Sequence, residues 1–270
     1  MTGELITSSG NPVVKRVRLL ADRKHRRSEG AFVVQGVQPV WQAVEAGADV
    51  EILVVAPGLL GRSAAARRIT AMVAEQEARG VRVARLSDDL FTRISDREGP
   101  PGLAAIVRGR LAGLDGLAAG PDSVFVALHG IGSPGNLGTI IRTANAAGAD
   151  GVVLVGQTTD PYDPAAVKAS MGALFTLPMA HAAASADFFG WAAAGGVTVV
   201  TTSARAEQSF WAASYPRPLA LLFGAEGSGL PGEVLARGDL QVHIPMSGTA
   251  ESLNLAVATA LLLYEIKRRG

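Results

Sequence analysis

Two rhythms run along this chain: short apolar runs, and longer stretches in which apolar residues recur every three or four positions. In the first hundred residues the runs 31–34, 51–55, 81–86 and 103–107 predict strands. Between them, 38–46, 63–79 and 88–94 carry helical spacing; Gly47 and Gly80 close the first two, and Asp88 is the expected cap of the third. A first helix opens at Asn11-Pro12, an N-cap followed by the residue best suited to the first helical position, with Val13, Val17 and Leu20 on one face. The region 108–122 is rich in Gly and Ala, has weak periodicity, and reads as a linker.

A second alternation comes after it. Strands are expected at 123–128, 151–155, 197–201, 219–223 and 241–244, with a short extended piece at 174–178. Helices are expected at 137–147, 163–171 and 185–194. These strands are continuously apolar, as a parallel sheet covered on both faces requires. A last helix is expected to begin at Glu251–Ser252, with Ser252 as N-cap and Leu253, Ala256, Val257, Ala260, Leu261 and Tyr264 as its buried stripe. Asn254 is the odd residue there, an amide at the head of an apolar helix. The fold class is therefore α/β: a smaller domain over 1–108, a linker over 109–122, and a parallel-sheet domain over 123–270.

Composition narrows the chemistry. At 270 residues and 48% hydrophobic the chain can bury two cores, and with 5% aromatics those cores must be mainly Ala, Val and Leu. Cysteine is absent, which excludes disulfides, thiol catalysis and thiolate metal sites, and the four scattered histidines have no ligand spacing, so no metal is expected. The first residues lack the apolar core of a signal peptide, and the longest nearly apolar run, 253–266, is too short for a bilayer; a cytoplasmic protein is expected. Net charge is only +1, but residues 1–30 hold Lys15, Arg16, Arg18, Arg23, Lys24, Arg26 and Arg27 against Glu4, Asp22 and Glu29. Such clustering is the footprint of a polyanion, and Lys15, Arg16, Arg23, Lys24, Arg26 and Arg27 are the expected phosphate contacts.

Two glycine-rich turns come directly after apolar strands. HGIGSPG has the GxGxxG form of a dinucleotide site, but that site wants an acid at the end of the next strand; Val155-Gly156-Gln157 offers none, and Asp150 precedes the strand. LLFGAEGSGL sets Glu226 among Gly224, Gly227 and Gly229, and Ser228 lacks the GxSxG frame of a hydrolase elbow. Glu226 in such a turn is better suited to positioning loops than to taking a proton.

The segments NLGTIIRTANAAG (136–148), LLFGAEGSGL (221–230) and IPMSGTAESLNLAVATALLLYE (244–265), in that order, resemble motifs 1, 2 and 3 of the SpoU (TrmH-type) RNA ribose 2′-O-methyltransferases of the SPOUT superfamily. KASMGALFTLP (168–178) is also like the family's, and the N-terminal NPVVKRVRLLADRKHRRSEGAFVVQG resembles its L30e-like RNA-binding domain. Where that domain often ends in Gln-Gly, this chain has Pro101-Gly102.

The resemblance implies a deep trefoil knot, S-adenosylmethionine held bent by backbone groups of the knot loops, and a homodimer whose sites combine both subunits. It assigns Gly224, Ile244 and Leu253 to the cofactor, with Thr202 and Met246 beside them. It assigns Asn136, Arg142, Glu226, Ser252 and Asn254 to catalysis. Arg142 is expected to orient an RNA phosphate that helps remove the 2′-hydroxyl proton, from a position six residues past Asn136 and roughly on the same side of the helix. The implied substrate is structured RNA, 23S ribosomal RNA ahead of tRNA because the L30e-like domain is present. Some members in GC-rich bacteria confer resistance to ribosome-targeting antibiotics. A non-catalytic RNA-binding module of the same fold is the alternative of another class.

Overall fold

The computed structural model describes residues 4–61, 65–95, 99–100, 102–109 and 111–269. The first half runs α1 (Pro12–Leu19), α2 (Arg23–Glu29), β1 (Ala31–Gln35), α3 (Val37–Glu45), β2 (Val50–Val55), α4 (Pro57–Leu60), α5 (Ala66–Ala78), β3 (Arg82–Arg85), α6 (Asp88–Ile94) and β4 (Leu103–Arg108). The second runs β5 (Val124–His129), α7 (Pro134–Ala147), β6 (Gly151–Val155), α8 (Pro164–Ser170), β7 (Met179–Ala182), α9 (Ser185–Ala194), β8 (Thr198–Thr202), β9 (Gln208–Ser209), β10 (Leu219–Phe223), α10 (Gly232–Leu235), β11 (Leu240–His243) and α11 (Leu255–Arg269). Residues 1–110 with 162–175 form one compact unit, and 111–161 with 176–270 the other. The stretch 162–175, read from the sequence with the second domain, thus falls in the first unit.

In the first unit a four-stranded sheet has the order β1-β4-β2-β3, with β4 antiparallel to both neighbours and β2 parallel to β3. Helix α1 starts where Asn11 accepts from the Val13 amide, and it buries Val13, Val14 and Val17 on the sheet beside Val54, Leu86, Phe91 and Ile106. The 162–175 stretch docks through rings: Tyr162 stacks on Phe32 at 4.5 Å and Phe175 at 6.1 Å. Gly172 is required here, since its φ is +93° and a Cβ would stand 2.6 Å from the Gln42 side chain. The cap of α6 is Ser87, whose hydroxyl accepts from Leu90, and not Asp88. The Asp88 carboxylate turns instead to the Leu59 amide. The expected start of the fifth helix at Ser63, and Pro101 of the Pro101-Gly102 pair, lie outside the described residues.

The second unit holds a seven-stranded parallel sheet in the order β7-β6-β5-β10-β8-β11-β9. Every residue of β5 up to Leu128, of β6 and of β10 is buried, which is why these strands read as unbroken apolar runs. Phe125, Ala127, Val153 and Leu222 pack with Phe188 and Ala192 of α9 and Val234 of α10. Helices α7 and α11 pack on each other outside that cluster. The supposed linker is tied down: Leu117 joins the core, its carbonyl accepts from Trp191, and Ala112 bridges to Ala180. The extended piece expected at 174–178 is a 3₁₀ turn over Ala173–Phe175, and the strand β7 begins only after Pro178, which has no amide to give a ladder.

The order of strands decides where a site can form. The chain moves outward from β5 through β6 to β7, then crosses to the other side, and β10 inserts between β5 and β8. The carboxyl ends of β5 and β10 are thus neighbours at the point where the winding reverses, the usual place for a site in an open parallel sheet.

Candidate active site

Ser133 caps α7, its hydroxyl accepting from the Asn136 amide, and Pro134 comes next at the first helical position. This fixes Asn136 in the first turn, facing the loop that leaves β10. The Glu226 carboxylate reaches across from that loop to accept from the Gly132 amide at 3.3 Å, the Ser133 amide at 3.2 Å and Asn136 Nδ2 at 3.1 Å. Asn136 Oδ1 in turn accepts from Asn254 Nδ2 at 3.0 Å. Asn254 Oδ1 accepts from the Ala256 amide at 2.9 Å and the Val257 amide at 3.4 Å. A single hydrogen-bonded line therefore joins the three motif segments.

That line corrects the expected start of the last helix. The N-cap is Asn254, not Ser252, and α11 begins at Leu255 because the Asn254 side chain satisfies two of its orphan amides. Ser252 is exposed and makes no hydrogen bond among the described residues. The expected buried stripe is corrected as well. Val257, Leu261 and Tyr264 are 48%, 41% and 50% exposed, while Ala256, Thr259, Leu262, Leu263 and Ile266 face inward. The outward stripe, with Trp211 and with Asn136, Thr139 and Thr143 of α7, lines a concavity of about 830 Å³.

Arg142 is not brought to the line. Six residues along a helix leave it about 120° around from Asn136; it is exposed and has no hydrogen bond or ion pair among the described residues. The expectation of a shared side with Asn136 is thus corrected. The face of α7 towards the concavity belongs to Asn136, Thr139 and Thr143.

Glu226 is an acceptor by environment. Partial burial pushes its pKa up, but the bonds it receives from its own amide, Asn136, Gly132 and Ser133 outweigh this and hold it below the ordinary range. A carboxylate so held is a poor proton acceptor near neutrality and a good anchor for the Asn136 amide.

Thr202, Gly224 and Ile244 sit at or just past the carboxyl ends of β8, β10 and β11, three adjacent parallel strands. Thr202 Oγ1 donates to the Leu222 carbonyl at 3.3 Å. Met246 and Leu253 are exposed on the segment between β11 and α11. Gly224 is demanded by its own loop: a Cβ would lie 2.0 Å from the Gly229 carbonyl carbon, because the chain folds back there through an Ala225–Gly229 bridge.

Of the six expected RNA contacts, Lys15, Arg23, Lys24 and Arg27 are exposed. Arg26 is buried, donating to the Leu20 and Ala21 carbonyls and facing Asp163, and Arg16 is paired with Glu29 and Glu51. These two guanidiniums serve the fold. Residues that the sequence pattern did not single out are Ser133, legible in the Ser-Pro start of α7, and Trp211, for which no pattern along the chain gave a signal.

The pattern of the SpoU rRNA Methylase family matches residues 123–264, and that of the MRM3-like substrate binding domain matches 11–105. The chain belongs to the SpoU rRNA methylase family and is an S-adenosylmethionine-dependent RNA methyltransferase. It is 33% identical over 257 residues to the 23S rRNA (uridine(2479)-2′-O)-methyltransferase of Streptomyces viridochromogenes, across 93% of this chain and 87% of that one. It is 29% identical over 262 residues to the 23S rRNA (guanosine(2553)-2′-O)-methyltransferase RlmP of Bacillus subtilis (strain 168), across 97% and 98%. The AdoMet-bound rRNA methyltransferase from Sinorhizobium meliloti matches with a TM-score of 0.90 at 36% identity, covering 98% of each chain.

The three strand ends fit that cofactor. Among the described residues no hydrogen bond engages the backbone of 245–253, so its amides and carbonyls remain for a ligand, and Ile244, Met246 and Leu253 offer apolar surface to an adenine ring.

Proposed function

We propose that this protein methylates a ribose 2′-hydroxyl of 23S ribosomal RNA, in the cytoplasm, as a homodimer with a knotted second unit. The observation that carries the reading is the line Glu226–Asn136–Asn254, which joins all three motif segments beside the strand ends suited to the cofactor. Two relatives matched along nearly their whole length are named for this reaction on 23S rRNA, and the match to a substrate-binding domain supports an RNA grip in the first unit. The exposed Lys15, Lys24 and Arg27 supply charge for that grip.

The homodimer is supported by the outward stripe Val257, Leu261 and Tyr264. Its spacing of four and three makes a seam that the same seam on a second copy can meet about a two-fold axis. Arg142, pointing away from its own Asn136, then serves the site of the second copy. When bound, S-adenosylmethionine supplies an electrophilic methyl group. That methyl would pass to the ribose oxygen as its bond to sulfur breaks and the donor leaves as a neutral thioether, and the hydroxyl proton would go to an RNA phosphate oxygen held by Arg142, whose guanidinium stays protonated. Glu226, an anchored acceptor, keeps the Asn136 amide aimed at Asn254.

Ribose-methylation mapping of ribosomal RNA from cells with and without this protein tests the reading. One 23S position should lose its methyl group; an unchanged 23S map, or loss confined to tRNA, overturns it.

A further inference from the structure

Next to the seam of α11 lies a turn whose conformation needs explaining. Trp211 is 61% exposed, more than any other large hydrophobic side chain among the described residues. Its neighbour Phe210 is buried, with the two rings 5.0 Å apart. An indole left in water gains by folding down onto nearby apolar surface, so something must hold it out. The turn's own bonds are few. The amides of Ala212 and Ala213 both go to the Ser209 carbonyl, that of Trp211 to the Ser209 hydroxyl at 3.3 Å and that of Phe210 to the His243 carbonyl, and β9, the strand that feeds the turn, is two residues long.

The carbonyls of the turn are claimed by side chains from outside it. Arg269, in the last turn of α11, donates from one Nη to the Ala213 carbonyl at 2.7 Å and from the other to the Trp211 carbonyl. Its Nε donates to Glu265 Oε1 at 2.6 Å. Glu265 is itself buried and takes two further bonds from Arg268 at 3.0 and 2.9 Å. The Arg269 guanidinium lies over the Tyr215 ring at 5.8 Å, and the Tyr215 hydroxyl donates to the Phe210 carbonyl at 2.7 Å. Burial pushes that phenol up to about 12, so it remains a donor. One planar fork thus ties the outer turn to the helix that bears the seam, a geometry that a lysine's point charge cannot reproduce.

We propose that Arg269 is a positioning residue for self-association: it props the 210–213 turn so that Trp211 stands beside Leu261 and Tyr264 and packs against a second copy of this chain. The inference rests on the homodimer proposed above and adds to it the residue that shapes the contact. A second copy is the occupant because the concavity that Trp211 borders also contains Asn136 and Asn254. Whatever seats there is in position to bring Arg142 to them. Phe210, Trp211, Val257, Ala260, Leu261 and Tyr264 give the concavity an apolar stretch, and its two charged residues, Arg268 and Glu265, are paired with each other, which suits a copy of itself better than a polyanion.

Sedimentation equilibrium over a concentration series tests this on the full chain. Wild type should dimerise, and L261D, a charge on the seam, should not. R269A and W211A should each raise the dimer dissociation constant at least tenfold, R269K should fall between R269A and wild type, and R269A/W211A should be no weaker than W211A alone. That last result is specific: an arginine acting through Trp211 gives a non-additive cycle, whereas one that merely supports the fold gives additive losses. Acrylamide quenching, with W211F as reference, should show the indole more mobile in R269A. A monomeric wild type, or an L261D variant that dimerises normally, removes the homodimer and this inference together. A dimeric wild type sensitive to L261D but with R269A unchanged, or with an additive cycle, removes the inference alone. If R269A fails to fold by circular dichroism, R269K decides: wild-type dimerisation in that variant overturns the proposal.

Discussion

Asn254 does two jobs with the two ends of one amide, and they can be separated. Its oxygen caps α11 by accepting from Ala256 and Val257, and its nitrogen donates to Asn136. Asn254→Ala removes both. Losing an N-cap of this kind costs about 1 kcal/mol. Losing the exposed bond to Asn136 adds at most about 0.5 kcal/mol, since water replaces it. Asn254→Asp keeps the cap oxygen and sets a negative charge at a helix N-terminus, worth about 0.3–1 kcal/mol in favour. It also deletes the donor and places a carboxylate oxygen against Asn136 Oδ1. Asn136 must then turn away from either the new carboxylate or Glu226, and the line is broken.

The two variants should therefore diverge. In urea unfolding followed by circular dichroism, Asn254→Ala should lose about 1–1.5 kcal/mol, while Asn254→Asp should stay within about 0.5 kcal/mol of wild type. In methyl transfer from radiolabelled S-adenosylmethionine to the RNA substrate, both should fall at least about a hundredfold, in the range seen when one oriented donor is lost from an active site. An Asp variant with near-normal turnover would sink the reasoning, because the line would then have no part in the chemistry. An Ala variant as stable as wild type would remove the capping role.

Arg142→Ala should keep the fold and bind cofactor normally by calorimetry yet lose at least about a hundredfold in turnover, and Arg142→Lys should recover little; normal turnover in the Ala variant removes Arg142 from the mechanism. Gly224→Ala drives a Cβ into the backbone at Gly229, so it should lower stability by more than about 2 kcal/mol along with cofactor binding, and an unshifted melting curve would refute this. Replacing Lys15, Arg18, Lys24 and Arg27 by Ala should reduce the salt slope of RNA binding by about three, without touching the buried Arg26; an unchanged slope places the RNA elsewhere. Bonds from Arg268 and Arg269 hold the Glu265 carboxyl at about 2, against an ordinary 4.5. Its contribution is therefore full above about pH 4.5 and lost as pH falls towards 2. Glu265→Gln should be less stable than wild type at pH 7, and the gap should close in acid; a gap independent of pH would contradict the pairing.

Most of the strands were legible because a sheet buried on both faces leaves unbroken apolar runs, as in β5, β6 and β10. β7 escaped because Met179–Ala182 is short and alternates around His181, and β9 because two residues carry no period. The identity of the site residues was legible only through the motifs. Their convergence was not: Glu226 meets Asn136 across 90 residues because β10 inserts beside β5, and Asn254 meets Asn136 across 118 because α11 packs on α7. Local periodicity holds no information on that insertion. Arg26 fails in the other direction. Its sequence neighbours are exposed cations, and only the carbonyls of Leu20 and Ala21 distinguish it.

The last helix makes the most instructive case. Counting apolar positions on α11 selects Val257, Leu261 and Tyr264 as readily as it selects Ala256, Leu263 and Ile266, since both sets recur at helical spacing. Within one chain only the second set finds a partner. A surface helix has no use for a second apolar arc, which weakens its solubility and gains nothing by facing water. A helix apolar on two sides is one that is covered on two sides. Helix α7 packs on the inner arc, and the outer arc is the face proposed above to meet a second copy. The expectation that placed the buried stripe on Val257, Leu261 and Tyr264 was therefore wrong for the single chain, and wrong for the same physical reason that makes the pairing of two chains the simplest account of the helix.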